Sequence, residues 1–159
     1  MKKLTHIELV LIAKRWLSNT FHCRVILTEL VAYTKSMETP DVIGWVNGRC
    51  ILVECKTSRS DFKADQKKLS RTGRIKGLGH WRFYLTEFGL LDGLEIPQKW
   101  GLYEIKGKRI YYNRGQKHTN AGIVPCVSCK DSEIALLVSA LARADNKTLN
   151  PTQTQAPRP

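Results

Sequence analysis

The chain has 159 residues, of which 42% are hydrophobic and 25% are charged, so it is long enough to bury a core and has the composition of a soluble globular protein. Lysine and arginine number 26 against 14 acidic residues, which gives a formal net charge of +12. This excess predicts a polyanionic partner, either nucleic acid or an acidic membrane surface. No apolar stretch reaches membrane-spanning length and no signal-peptide cleavage site follows the N-terminus, so we expect a cytoplasmic protein that does not enter a membrane.

The first predicted elements are a helix and a strand. A helix is expected over Thr5 to Leu17, and Glu8 stands at the capping-box position of its first turn. A strand rich in Val, Ile and Leu is expected over Phe21 to Val31. Strand alternation places Glu29 among apolar neighbours on one face, where an unpaired carboxylate would be costly. Glu29 is therefore a candidate site residue, and a half-buried ion pair is the alternative.

A β-hairpin comes next in the chain. Asn47-Gly48 is a strong signal for a two-residue turn, and it lies between two apolar runs, 41–46 and 49–56. With this turn, the strand register places Asp41 directly opposite Glu54. The Cβ atoms of two such residues lie ~5 Å apart in an antiparallel ladder. The sequence therefore predicts two carboxylates that face each other.

Lys56 lies two residues after Glu54 and therefore points to the same face of the strand. Like charges that face each other destabilise a hairpin unless a cation lies between them. Two carboxylates and an ammonium group could together hold a divalent metal and a phosphate. The alternative is an ordinary salt bridge at a strand end, but Pro40-Asp41 at the matching position of the partner strand favours the site.

The rest of the chain predicts one domain over residues 1–145, followed by a polar, proline-containing tail over 146–159 that is expected to be disordered. The remaining predicted elements are a helix over 61–70, a strand over 81–86, a hairpin of 101–105 with 108–112, and a helix over 132–144. Helices packed on a central mixed sheet give an α/β layered domain.

Positive charge is concentrated after the predicted hairpin. Residues 56–76 contain eight basic residues and two aspartates. Lys63, Lys67 and Arg71 follow one another at spacings of four, so a helix would present them as one ridge that binds a phosphate backbone, with Arg59 nearby. An ordinary solvated helix face is the alternative. A second basic stretch contains Tyr111 and Tyr112, which could either stack on exposed bases or form the apolar side of an edge hairpin.

The cysteine count is odd, which fits a reducing compartment. The chain has five cysteines, and Cys126 and Cys129 have the spacing of half a zinc site. The second half of such a site is missing, so two free thiols are the favoured interpretation. A zinc-binding adaptor stays open as a third function.

Pro40-Asp41, twelve intervening residues and Glu54-Cys55-Lys56 resemble the motif of the PD-(D/E)xK nuclease superfamily. The stretch from Val53 to Lys67 is similar to the MmcB-type DNA-repair branch, whose pattern also has an acid on the preceding strand. The resemblance implies a restriction-endonuclease-like core, with a central mixed β-sheet flanked by helices.

The resemblance also implies a chemistry. Asp41 and Glu54 would bind Mg²⁺ or Mn²⁺, with the backbone carbonyl of Cys55 as a further ligand. Lys56 would orient the attacking water or stabilise the charge that grows on the phosphate. Glu29 would be a third acid that contacts the metal or a metal-bound water.

The expected function is that of a Mg²⁺-dependent deoxyribonuclease, with endonuclease cleavage favoured, that acts in DNA repair, recombination or phage DNA processing. The alternative is a non-catalytic nucleic-acid-binding protein on the same fold. The sequence leaves open whether the substrate is DNA or RNA, whether it is duplex, single-stranded or branched, and whether the chain forms a homodimer.

Overall fold

A six-stranded mixed β-sheet with helices against both of its faces forms the centre of the molecule. The computed structural model describes residues 3–118 and 125–149. In chain order the elements are α1 (His6–Phe21), β1 (Val25–Thr28), β2 (Val42–Val46), β3 (Arg49–Lys56), α2 (Arg59–Asp65), β4 (Trp81–Glu87), β5 (Trp100–Lys106), β6 (Arg109–Gly115) and α3 (Lys130–Leu149). The strands lie in the order β1 to β6; β3, β4 and β5 are parallel, and the other neighbours are antiparallel. The predicted α/β class with a mixed sheet is confirmed.

Helix α1 covers one face of the sheet. Its capping box is present, because the Thr5 hydroxyl accepts a hydrogen bond from the Glu8 N–H and the Glu8 carboxylate accepts one from the Thr5 N–H. The helix continues to Phe21, four residues past the predicted end at Leu17. Its buried face packs against apolar side chains of β2 to β5, and Trp16 is at the centre of this contact.

The β2–β3 hairpin has the predicted register. Val46 pairs with Arg49 and Val42 pairs with Val53, so the two-residue turn at Asn47 and Gly48 is confirmed. Both turn residues have positive φ, 48° and 70°, as a type I′ turn requires.

Two predicted elements are shorter than expected. β1 ends at Thr28, and Glu29 follows with a left-handed φ of 47°, so the prediction that alternation extends through Glu29 is wrong. α2 ends at Asp65 rather than at residue 70. Beyond it the Lys68 N–H donates to the Asp65 carbonyl and the Arg71 N–H donates to the Lys68 carbonyl, which are turns that close on the third residue and break the helical path.

Helix α3 lies against the second face of the sheet, where Leu136 is buried together with Phe62 and Trp100. Three other apolar residues of this helix, Ile134, Val138 and Leu141, are exposed. The helix runs to Leu149, four residues into the predicted disordered tail, and residues 150–159 lie outside the described residues. No helix within the described ranges is both long and apolar enough to cross a membrane.

The register of the hairpin depends on a turn that favours glycine. Gly48→Val should lower the free energy of unfolding by about 1–2 kcal/mol, because a β-branched residue is strained at positive φ. Gly48→Asn should cost less, since asparagine tolerates this conformation and no atom lies within 4 Å of the added Cβ position. Urea denaturation of both variants measures the difference, and equal stability of the two would contradict the turn geometry.

Candidate functional site

The confirmed register brings the two predicted carboxylates together at one end of the sheet. Continuing the β2–β3 pairing by one residue beyond Val42 places Asp41 opposite Glu54. Oδ2 of Asp41 accepts a hydrogen bond of 2.7 Å from the Cys55 N–H, so this carboxylate is held against β3. Burial raises the pKa of Asp41, while Lys56 and the Cys55 N–H oppose the shift.

Glu54 is the most deeply buried acid of the site, with 1% of its surface exposed. Lys56 Nζ donates a hydrogen bond of 3.2 Å to Oε2 of Glu54. Oε1 accepts no hydrogen bond from any described residue, although Nη2 of Arg71 lies 3.2 Å away. Burial, followed by the charge of Asp41, raises the pKa of Glu54 to about 7. This electrostatic coupling is what two neighbouring carboxylates produce.

Lys56 remains a charged ammonium group despite its burial. Burial alone would lower its pKa, but Glu54, Asp65 and Asp41 together raise the pKa above the ordinary lysine value. The predicted grouping of two acids and one lysine is therefore present in the structure.

Asp65 is a further acid of the site, and it was not among the predicted site residues. Its oxygens lie 2.6 Å from Lys68 Nζ, 2.9 Å from Arg71 Nε and 2.7 Å from the Tyr84 hydroxyl. Burial would raise the pKa of Asp65, but Arg71, Lys56 and Lys68 lower it well below its usual range. The sequence contains one signal for the burial of Asp65. It follows Phe62 by three positions, and residues at this spacing share a helix face, which here is the buried one.

Arg71 does not belong to an exposed ridge, and that prediction is wrong. The chain turns back after α2, so only 1% of the Arg71 side chain is exposed. Arg71 forms ion pairs with Glu38, Glu54 and Asp65, and its guanidinium lies 4.4 Å from the centroid of the Trp100 ring. These carboxylates raise its pKa further, so it stays charged. Arg71 therefore stabilises the site from inside.

The other predicted phosphate-binding residues do face solvent. Lys63 lies on α2 and Lys67 lies just past it, both exposed. Neither forms an ion pair with a residue in the described ranges. Arg59 is also exposed, and its guanidinium donates to the Asp92 carbonyl at 2.9 Å.

Glu29 lies beside the site, but for a different reason from the predicted one. Its side chain is about half exposed, with 52% of its surface accessible, so the argument from a costly buried carboxylate does not hold. The Glu29 N–H donates to the Asp41 carbonyl at 3.0 Å, which keeps the two residues adjacent. His6 Nε2 lies 3.2 Å from Glu29 and 3.7 Å from Asp41. His6, the first residue of α1, was not among the predicted site residues, because nothing local links it to an acid 35 positions away.

The donor set at this end of the sheet consists of carboxylate oxygens, which suit a hard ion such as Mg²⁺ or Mn²⁺. Oε1 of Glu54 is buried and accepts no hydrogen bond within the described ranges, and Arg71 Nη2 lies 3.2 Å from it, so a metal at this oxygen would share it with the guanidinium. No group of three or more His, Cys, Asp or Glu side chains arranged to hold a metal is found among residues 3–118 and 125–149. Asp41 and Glu54 are thus a pair, to which the Cys55 carbonyl and Glu29 are the predicted additions.

The histidine and cysteines near α3 have structural contacts. Nδ1 of His80 accepts a hydrogen bond of 3.0 Å from the Cys50 N–H, so this histidine has a partner in the backbone of β3. Cys126 is buried, and both it and Cys129 are free thiols. The Ser132 hydroxyl donates to the sulfur of Cys129 at 3.1 Å.

Comparison of the chain with protein-family models, with curated proteins and with solved structures finds no match. The case for a function therefore depends on the geometry of the site.

Asp65 should carry much of the stability of the site. Asp65→Asn should lower the free energy of unfolding by about 3 kcal/mol, because it leaves buried cations with fewer partners. Asp61→Asn is the matched control and should cost less than about 1 kcal/mol, since the Asp61 side chain is 46% exposed.

The pH dependence gives this prediction a second measurement. Because the folded-state pKa of Asp65 is lowered, its contribution is present above the ordinary value of 3.8 and is lost as the pH falls below that value. The stability difference between Asp65→Asn and the wild type should therefore shrink on acidification. A difference that is unchanged down to strongly acidic pH would contradict the ion-pair account.

Proposed function

We propose that this protein is a metal-dependent nuclease that hydrolyses phosphodiester bonds in DNA. The observation that carries the proposal is the grouping of Asp41, directly before β2, with Glu54 on β3, and with the ammonium group of Lys56 3.2 Å from Glu54. The PD-(D/E)xK resemblance describes the same three residues. The parallel strands β3 to β5 and the helices on both faces are compatible with a restriction-endonuclease-like core.

Asp41 and Glu54 would hold Mg²⁺ or Mn²⁺, together with the Cys55 carbonyl and Glu29. Such an ion supplies a Lewis acid for the phosphate and lowers the pKa of a bound water. Asp41 is preorganised for this role because the Cys55 N–H fixes one of its oxygens. Glu54 is held ready by its burial and by its unbonded Oε1 atom.

Lys56 would stabilise negative charge on the scissile phosphate or orient the attacking water. It stays protonated because three carboxylates raise its pKa. Asp65 lies 3.5 Å from the Nζ atom of Lys56 and is itself held by an ion pair with Arg71. These two contacts fix the position of the Lys56 ammonium group. A fixed cation in a dry site stabilises charge better than a mobile one in water.

DNA is the favoured substrate because of the net charge of +12 and because Lys63 and Lys67 are exposed beside the site. A role in DNA repair, recombination or phage DNA processing follows from the resemblance, as does the preference for endonuclease cleavage. The five free cysteines suit a reducing cytoplasm.

A second candidate is a non-catalytic nucleic-acid-binding protein on the same fold. The observation that favours it is the internal neutralisation of the acids, because Lys56, Lys68 and Arg71 all form ion pairs with Glu54 or Asp65. A cluster that is already balanced needs no metal to be stable.

The two candidates differ in one assay. Labelled linear, nicked and four-way DNA should be cut by the wild-type protein with Mg²⁺ or Mn²⁺ and not with EDTA. Asp41→Asn and Glu54→Gln should each slow cleavage by at least about 100-fold, since metal activation contributes several kcal/mol to the transition state. Their affinity for DNA in EDTA should stay within about twofold of the wild type, because backbone contacts supply most of it.

Glu95→Gln is the matched control, because Glu95 is exposed and lies outside the site. It should cleave like the wild type. If the Glu54→Gln variant cleaves DNA at the wild-type rate, the active site lies elsewhere. Binding without any cleavage in either metal would support the non-catalytic candidate.

A further inference from the structure

A groove of about 680 Å³ lies between α1 and β6, on the opposite side of the sheet from α2. We call it the α1–β6 groove. It is defined by lining residues of α1 (Ile12, Arg15, Trp16, Asn19, Thr20), of the β5–β6 hairpin (Tyr103, Lys108, Arg109, Ile110, Tyr111, Tyr112), and by Lys117 and His118. None of the described residues that line it is acidic.

The cations of the groove differ from those of the candidate site. Arg15, Lys108, Arg109 and Lys117 form no ion pair with any residue in the described ranges. The buried cations of the site are instead neutralised by neighbouring carboxylates. The groove therefore holds positive charge that is available to an anionic partner.

One tyrosine ring gives the groove a second property. Tyr112 is 40% exposed, pairs with Tyr103 on the α1 face of the sheet, and has Lys117 Nζ 5.3 Å from the centroid of its ring. Its neighbour Tyr111 pairs with Glu104, so the Tyr111 side chain projects from the other face. The Tyr112 hydroxyl donates to the Gly115 carbonyl at 2.9 Å, and the Tyr103 ring meets the Tyr112 ring nearly edge-on at 5.7 Å between centroids. Tyr112 is thus held in one orientation, so little side-chain entropy is lost when a flat partner stacks on it.

Exposed aromatic rings among unpaired cations are typical of surfaces that bind single-stranded nucleic acid. A duplex hides the faces of its bases, and an unpaired strand exposes them. We infer that the α1–β6 groove binds a single-stranded segment of nucleic acid, one base of which stacks on Tyr112 while the flanking phosphates contact Arg15, Lys108 and Arg109.

The position of the groove connects it with the candidate site. β3, β4 and β5 are parallel, so Lys56 and Lys106, the last residues of β3 and β5, lie at the same end of the sheet. Three strand spacings of ~4.8 Å, roughly 14 Å in all, separate β3 from β6. The groove is on the α1 face and the acids of the site are on the α2 face, so a strand that leaves the site would pass around this end of the sheet to enter the groove. Binding by the groove is independent of catalysis, but the conclusion that the substrate carries a single-stranded segment rests on the proposed nuclease function.

Fluorescence anisotropy with a labelled oligothymidylate and with a blunt hairpin duplex, both in EDTA, tests the groove without cleavage. Tyr111→Ala/Tyr112→Leu should weaken single-strand binding by about fivefold or more, and duplex binding by less than about twofold. Tyr111→Ala alone should change neither, because Tyr111 projects from the other face of β6. Tyr112→Phe keeps the ring but loses the hydrogen bond to Gly115, so single-strand affinity should fall by less than about threefold. Tyr33→Ala is the matched control, because Tyr33 is fully exposed and lies outside the groove.

A photoreactive oligonucleotide gives an independent readout, since it should crosslink to the peptide that contains Tyr111 and Tyr112. Single-strand affinity that is unchanged in the double variant would overturn the inference. Equal losses for single strand and duplex would also overturn it, because the groove would then be a patch of charge without stacking. Loss of binding to phosphatidylserine vesicles with single-strand binding intact would assign the groove to a membrane instead.

The same variants separate this inference from the nuclease proposal. If the tyrosine variants lose single-strand binding but the wild-type protein cuts no DNA, the inference about the groove holds and the nuclease proposal fails. If cleavage depends on Glu54 but the tyrosine variants bind single strands like the wild type, the nuclease proposal holds and the inference about the groove fails.

Discussion

The charge of Glu54, buried at the carboxyl end of β3, determines how the surrounding chain is arranged. A carboxylate taken out of water costs several kcal/mol unless cations and hydrogen bonds compensate. Lys56 supplies one cation from two residues along the strand, and Arg71 supplies another from the segment that turns back after α2. Asp65 and Glu38 then hold Arg71. The turns that follow the end of α2 at Asp65 bring the Arg71 side chain into this cluster.

This cluster is difficult to explain by stability alone. Replacing a buried ion network with apolar residues is often neutral or stabilising, so the presence of this one supports the proposal that its charges serve the nuclease site. The basic residues accordingly form two classes. Those inside the cluster are paired and set the geometry around Glu54, whereas exposed ones such as Lys63 and Arg109 are free to meet phosphates. Under the proposed function, this division would separate the chemistry at Glu54 from the DNA affinity around it.

Local signals account for the part of the structure that could be predicted. The Asn47-Gly48 turn determines the hairpin register, and the register alone is enough to place Asp41 opposite Glu54. The predictions fail where contacts are distant in sequence. Arg71 forms an ion pair with Glu38, which lies 33 residues away in the sequence. At Glu29 a left-handed φ ends the strand alternation, although no glycine at that position indicates such a conformation. Periodicity carries no information about such contacts or about single-residue backbone changes.

The central claim is that Asp41 and Glu54 together bind one divalent metal ion. The most direct test is a titration of metal-free protein with Mn²⁺ followed by electron paramagnetic resonance, on the wild type, on Asp41→Asn/Glu54→Gln and on the Glu95→Gln control. The account predicts one Mn²⁺ site in the wild type and control, competition by Mg²⁺, and a loss of affinity of at least about 100-fold in the double variant. Equal Mn²⁺ affinity in the wild type and the double variant would contradict it.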